Sequence, residues 1–382
     1  MGNAQEKGAH PHVNVRMSES VAQSVSFLPL HLLAFRTHMA NLQQLHDLAS
    51  YAVPVNVLAT FWRNSLPALA HNATTNPAGL LAFYAAADPF VSGMVITTAV
   101  SFLCWIMSVL TGNYSQVDRL WSLLPPFYIW HYTLHEYLNE TGELHPRLLL
   151  ASVVTSVWGA RLTYNFARKG GYRWKEEDYR WPYLRKYLGP FLFQLLNITF
   201  IAPYQNLLLF LLTSPIYVAH LTHNLNPSLN ALDFGAVALF FALLGGEVIA
   251  DQQQWAFQTR KWSLIGQKAT LTGDYARGFL SESGLWRYSR HPNFFCEINI
   301  WWAVYLFSVS ATGTPAAGGL DGKWLNWSII GPLLLTSLFQ GSTWFTEMIS
   351  AEKYPAYKEY QKQVSMLFPL PRRAAPKADK EE

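Results

Sequence analysis

Charge is what this chain has least of. Only 14% of its 382 residues are Asp, Glu, Lys or Arg, and 51% are hydrophobic; soluble proteins carry about 25% charged residues. The deficit excludes an ordinary water-soluble globule and predicts an integral membrane protein. The net charge of +4 gives no electrostatic case for nucleic acid as a partner. Cysteine is nearly absent. Cys104 and Cys296 both fall in apolar runs, which excludes a disulfide framework and a thiolate metal quartet. The first 41 residues lack a basic segment followed by a short apolar core and a small-residue cleavage site, so no cleavable signal peptide is expected. Nucleotide-binding loops are missing too: Gly170-Gly171 and Gly245-Gly246 do not have the G-x-G-x-x-G spacing, and there is no P-loop, G-x-S-x-G elbow or H-E-x-x-H zinc pair. Any cofactor must therefore sit among membrane helices.

Long apolar runs are what the chain does have. Spans are predicted at about 90–111, 119–138, 146–166, 190–220, 231–250, 293–316 and 327–347, each near the ~20 residues that cross ~30 Å of hydrocarbon. The reading is an all-α, polytopic membrane helix bundle of about seven transmembrane helices, within a range of about six to ten. The 190–220 run holds Pro203 and Pro215 and reads as a broken helix or a tight pair. Residues 1–80 form a variable, partly disordered arm with short interfacial helices, including the apolar patch Ser26–Phe35 and the Pro54-containing stretch Tyr51–Trp62. Residues 81–372 form one membrane domain, and 373–382 a charged tail. Basic residues concentrate in Arg168–Lys186, in Asp251–His291 and after Ile349. Two spans separate neighbouring basic regions, so all three share one side, which the positive-inside rule makes cytosolic. The sequons at Asn72, Asn139 and Asn326 then face the opposite side, and that at Asn113 the cytosol.

The stretch Gly284–Glu297 carries the chemistry. A cationic loop runs into Pro292, which is tolerated in a helix's first turn. Asn293 and Glu297 follow at i and i+4, on one face with Trp301. A carboxylate inside an apolar helix is costly unless paired, and Arg287, Arg290 and His291 stand next to it as candidate partners. Interfacial anchoring explains the arginines and tryptophans but not Asn293 and Glu297. Two further cytosolic segments combine cations, amides and aromatics: Arg161–Arg168, and Ala250–Lys261 with Gln252, Gln253, Gln254 and Gln258. Such a surface suits an anionic, heterocyclic cofactor, since guanidinium binds phosphate and aromatic faces stack on bases.

These residues resemble a known family. Gly284, Leu285, Trp286, Tyr288, Ser289, Arg290, His291, Pro292, Asn293 and Glu297 are similar to the signature of the steroid 5-alpha-reductase C-terminal family, and more closely to its DUF1295 branch. Phe294 replaces a tyrosine of that pattern and Cys296 a glycine. Val117-Asp118 with Trp121, Glu177–Arg180, Ala250-Asp251 with Gln253 and Phe257, and Tyr354–Tyr357 through Pro369 resemble four further branch motifs, so the likeness covers about residues 110–372.

The resemblance implies an endoplasmic-reticulum protein with a cofactor cavity open to the cytosol. It implies NADPH-dependent reduction of a carbon–carbon double bond conjugated to a carbonyl in a lipophilic, steroid- or lipid-like substrate. Asn293 and Glu297 correspond to residues at the nicotinamide end, Asp251 to an acid of the cofactor site, and Arg277 and Tyr354 to the phosphate and adenosine region. Arg290 and His291 join this cofactor-binding set. Gln254 and Gln258 replace a lysine and an arginine of the family, with Arg260 and Lys261 one turn away as substitutes. The substrate-side tyrosine of the steroid reductases falls near Trp158, which leaves Tyr164 and Tyr179 as candidate catalytic tyrosines beside Glu297. Two other functions stay open. One is an S-adenosylmethionine-dependent methyltransferase resembling the isoprenylcysteine carboxyl methyltransferases, whose cofactor carries no phosphate. The other is a non-enzymatic scaffold or lipid sensor.

Overall fold

A computed structural model describes residues 53–75, 80, 84, 87–138, 143–223 and 225–373; the expectations for the patch Ser26–Phe35, the sequon at Asn139 and the end of the tail lie outside these residues. Among the described residues every named element is helical, and the one β-like feature is an isolated parallel bridge between Ser289 and Ser365. The principal helices are α1 (Val53–Thr60), α2 (Leu66–Thr75), α3 (Pro89–Thr111), α4 (Leu124–Glu136), α5 (Pro146–Arg168), α6 (Arg180–Leu196), α7 (Gln205–Leu211), α8 (Ser214–Leu221), α9 (Ala231–Gly266), α10 (Pro292–Thr312), α11 (Ile330–Lys353) and α12 (Tyr357–Gln363).

Local sequence sets the helix starts. The Asp88 carboxylate accepts from Phe90 N–H (2.8 Å) just before Pro89 opens α3, and proline also opens α5 and α10. Asn230 caps α9 in a reciprocal box with Asp233. Between α6 and α7, Asn197–Tyr204 winds as a π-helix around Pro203, whose missing N–H removes one α-helical bond. Gly189, at φ 71° and ψ 172°, bends α6. The 190–220 run is thus a broken helix.

Among the described residues, four stretches are long and apolar enough to cross a membrane: Pro89–Thr111, Arg180–Leu221, Ala231–Gly266 and Pro292–Thr312. Of the other three segments expected to span, α4 has only 13 residues, while α5 and α11 have 23 and 24 residues. These two carry polar groups such as Arg147, Asn165, Thr343 and Glu347 on buried positions. At 36 residues, α9 is about 54 Å long, so about 24 Å of it, at the C-terminal end, projects beyond a ~30 Å hydrocarbon layer. The most enclosed of these four stretches is α10, with Ile300, Trp301, Val304 and Phe307 all fully buried. It packs along α9, where a Cβ on Gly246 would stand only 3.0 Å from Cys296 Sγ.

A buried ion pair sets the register of this core. Arg147, at the start of α5, meets Asp233, at the start of α9, through Nε–Oδ1 (2.9 Å) and Nη2–Oδ2 (3.0 Å), with both side chains at 0% exposure. Its remaining donors reach the carbonyls of Asn226 and Ser228, both at 2.7 Å. The two helices therefore run parallel from a common level, and the polar groups on their distal halves arrive side by side. The three basic segments meet at that distal end, joined by Arg168–Gln252 (3.0 Å), Lys169–Asp251 (3.9 Å) and Lys261–Tyr354 (3.2 Å). At the opposite end the Asn326 sequon is closed to modification in the folded chain. Its side chain is fully buried and bonded to Ser308 Oγ (3.0 Å) and Ser328 N–H (3.1 Å).

Removing one member of a buried pair leaves an uncompensated charge, which costs about 3–5 kcal/mol. Arg147→Ala should lower the thermal unfolding midpoint in detergent by a corresponding amount. The Arg147→Met/Asp233→Leu double variant should recover part of the loss, and a cycle across the four proteins measures the coupling.

Candidate functional site

Three helices each contribute an i, i+4 pair to one polar cluster at the distal end: Arg161 and Asn165 from α5, Glu247 and Asp251 from α9, Asn293 and Glu297 from α10. The Arg161 guanidinium bridges the two α9 carboxylates, through Nη1–Glu247 Oε1 (2.8 Å) and through Nη2 to Asp251 Oδ2. Asn165 Nδ2 donates to Asp251 Oδ2 (2.6 Å), and Asn293 Nδ2 approaches Asp251 Oδ1 (3.4 Å). Glu297 is held differently. Its carboxylate accepts from two indoles, Trp158 Nε1 (2.8 Å) and Trp301 Nε1 (3.2 Å), whose rings meet edge to face at 5.0 Å. The indoles fix the orientation of this buried carboxylate without neutralising it.

The cluster forms one wall of a cavity of about 800 Å³, which Asn165, Glu247, Asp251, Asn293 and Glu297 all line. Opposite stand apolar side chains, among them Phe200, Leu338, Phe339 and Phe345. Such a cavity holds a ligand that is polar at one end and apolar at the other. Asp118, Tyr204 and Gln205 supply further polar groups. Asp118 accepts from Trp181 Nε1 (3.0 Å). Tyr204 stacks on Phe200 at 4.9 Å with the rings 11° apart. The π-helical winding turns Phe200, Tyr204 and Gln205 to the same side. A second groove, of 490 Å³, lies apart from the charged cluster and is mostly apolar, between Leu239, Phe295, Trp302 and Leu325.

Four of the residues singled out from sequence, Arg161, Asp251, Asn293 and Glu297, converge here. Arg290 and His291 do not, and the expected pairing of either with Glu297 does not form. Arg290 clasps Glu347 through Nε (2.5 Å) and Nη2 (2.9 Å), and His291 Nε2 lies 3.0 Å from the same carboxylate. Arg290 also donates to the carbonyls of Gln361 (2.9 Å) and Val364. This motif thus straps the segment after α12 onto the start of α10. The reason lies in helix phase: Glu297 turns inward toward α5, while residues 290 and 291, before the helix begins, turn toward α11.

Arg277 is tied to Asp274 (2.8 Å) and Glu282 (2.5 Å) in the loop after α9. Burial pushes the Asp274 carboxyl up, but bonds from Ser281, Arg277 and the Glu282 N–H outweigh it and hold the group below its usual range. Tyr354 accepts from Lys261 Nζ (3.2 Å), which also donates to Gly278 O (2.8 Å). Burial raises the Tyr354 hydroxyl, yet the ammonium groups of Lys261 and Lys353 bring it below its ordinary value. Lys261 is therefore engaged in fastening this loop, and Arg260 is exposed. Tyr164 is 67% exposed beneath Arg168 (5.6 Å), and Tyr179 is 50% exposed with its hydroxyl 3.5 Å from Thr346 Oγ1. Neither lines the cavity, whereas Tyr204 does. Sequence reasoning missed Glu247 and Tyr204. A lone acid in an apolar run, one turn before Asp251, was a usable signal for the first. The inward phase of Tyr204 follows from a π-winding that the sequence marks only by Pro203.

Comparison with known proteins comes to two findings. An uncharacterized protein of Schizosaccharomyces pombe is 39% identical over 293 residues, which cover 75% of this chain and 81% of that protein. No solved structure matches. Residues 104–364 match the family described as a protein of unknown function (DUF1295), and the chain belongs to that family.

Proposed function

We propose that the protein is a membrane reductase that uses NADPH to saturate a carbon–carbon double bond conjugated to a carbonyl in a lipophilic substrate. The observation that carries this reading is the meeting of Asn293, Glu297 and Asp251 on a cavity whose opposite wall is apolar. The residues present suit the cofactor. Asn293 Oδ1 and Glu247 Oε2 are buried acceptors without a hydrogen-bond partner among the described residues, which fits the amide N–H groups of a carboxamide. Lys169, 46% exposed, and Arg168, stacked on Trp255 at 4.9 Å, offer cations and an aromatic face for phosphate and base.

When bound, NADPH supplies a hydride, two electrons and one hydrogen, to the carbon β to the carbonyl. The chain's part is to orient the reacting ends, exclude water and provide a proton. Tyr204 fits the last role: it lines the cavity, and the proton its hydroxyl gives up is regained from water. On this reading the chain has seven spans, α4, α5 and α11 included, its basic end is cytosolic, which the positive-inside rule supports, and its host membrane is the endoplasmic reticulum.

One observation favours a second reading. Five carboxylates but only Lys169 and Arg180 as cations line the cavity. That balance suits the sulfonium of S-adenosylmethionine better than a phosphate-bearing cofactor. Thermal-shift measurements with the two cofactors side by side separate the readings.

Hydrogen bonds to charged groups contribute about 1.5–3 kcal/mol. Glu297→Gln and Asn293→Ala should therefore each weaken NADPH binding about tenfold or more, measured by calorimetry on the detergent-purified chain; absence of binding to the native chain at millimolar NADPH would remove the reading. With a long-chain α,β-unsaturated ketone as probe, Tyr204→Phe should cut turnover by about 10²–10⁴, the usual share of general acid catalysis, and leave NADPH affinity unchanged.

A further inference from the structure

We infer that the cavity opens sideways into the bilayer, between α6 with its π-helical extension and α11, and that its substrate is a single-chain lipid entering from the membrane. The inference rests on the reductase reading for the chemistry, but on the fold alone for the route. Both helices line the cavity, yet they make no extended contact with each other; α11 packs instead on α7 and α10. On α11 the positions Ser337, Gly341 and Trp344 line the cavity and are exposed as well. Their spacing puts them on one helix face, so the mouth runs along that face.

The depth of the mouth follows from a neighbouring helix. Trp302 is the middle residue of the span Pro292–Thr312, and its indole donates to Thr336 Oγ1 (3.2 Å). Ser337 is therefore level with the centre of a membrane-spanning helix, where the medium outside is acyl chain and not water. At the distal end, Arg180 Nη1 bonds to Ser342 Oγ (2.7 Å) and closes the gap above the mouth. Within, Gln205 is 5% exposed, lines the cavity and makes no side-chain hydrogen bond among the described residues. Its amide is open to the cavity and offers the substrate's carbonyl a donor beside Tyr204. An entering molecule can thus place its polar, reacting end at Tyr204 and Gln205 while its chain remains between Leu338, Phe345 and the bilayer.

Gly341 makes a clean test, because a Cβ there meets nothing within 4 Å. A tryptophan at this position fills the mouth without displacing protein. The full chain in lipid nanodiscs is photolabelled with palmitic acid carrying a mid-chain diazirine, and labelled residues are mapped by mass spectrometry. The native chain should be labelled at Phe200 and Tyr204 inside the cavity as well as at Phe102 and Leu110, which are exposed on α3. Gly341→Trp should lose the labels at Phe200 and Tyr204 and keep those on α3. If that variant loses its cooperative unfolding transition, Gly341→Leu carries the same comparison. Interior labels that are absent from the native chain, or equal in native and variant, overturn the portal and leave the cofactor reading intact. The expected label pattern in a chain that does not bind NADPH removes the reductase reading and leaves the portal standing.

Discussion

The parallel pairing of α5 and α9 governs where everything else can stand. Arg147 and Asp233 lock the two helices at one end, and two heptads further along each helix Arg161 meets Glu247. A repeat of whole heptads keeps the same faces together as neighbouring helices supercoil. The distance between the two ion pairs, about 21 Å at 1.5 Å per residue, carries the second one most of the way across a hydrocarbon layer. Without the first pair, nothing in the apolar surface between them would choose this register over one a turn away.

Against that frame α10 supplies the remaining wall. Its first turns bring Asn293 to Asp251 and Glu297 to the indole of Trp158 on α5. The burial of Glu297 is thereby explained: an ionisable group is carried into an apolar interior because two N–H donors and a cavity receive it. The same cavity meets apolar helix faces on its far side, and this juxtaposition of a polar wall and a greasy one makes lipid chemistry the natural reading of the site.

Membrane character, the all-helical class and the helix start at Pro292 were legible from composition and pattern, because they depend on local composition and backbone chemistry. Asn293 and Glu297 were legible for a related reason: polar groups at helical spacing in an apolar run are conspicuous. The role of Arg290 and His291 was not. Their partner Glu347 and the carbonyls of Gln361 and Val364 lie far along the chain, and only the fold brings them together. Among the tyrosines, Tyr164 and Tyr179 sit in conspicuous polar segments, while Tyr204 hides in an apolar one. A change in winding at Pro203, not composition, turns it inward.

The sequence alone determined that this chain is a membrane protein, where the helix after Pro292 begins, and which buried carboxylate requires an explanation, since hydrophobic length, backbone constraints and the cost of burying charge all act locally. The tertiary structure decided which charges meet and which tyrosine lines the cavity. Those outcomes depend on helix phase and register, which are set by contacts between residues scores of positions apart.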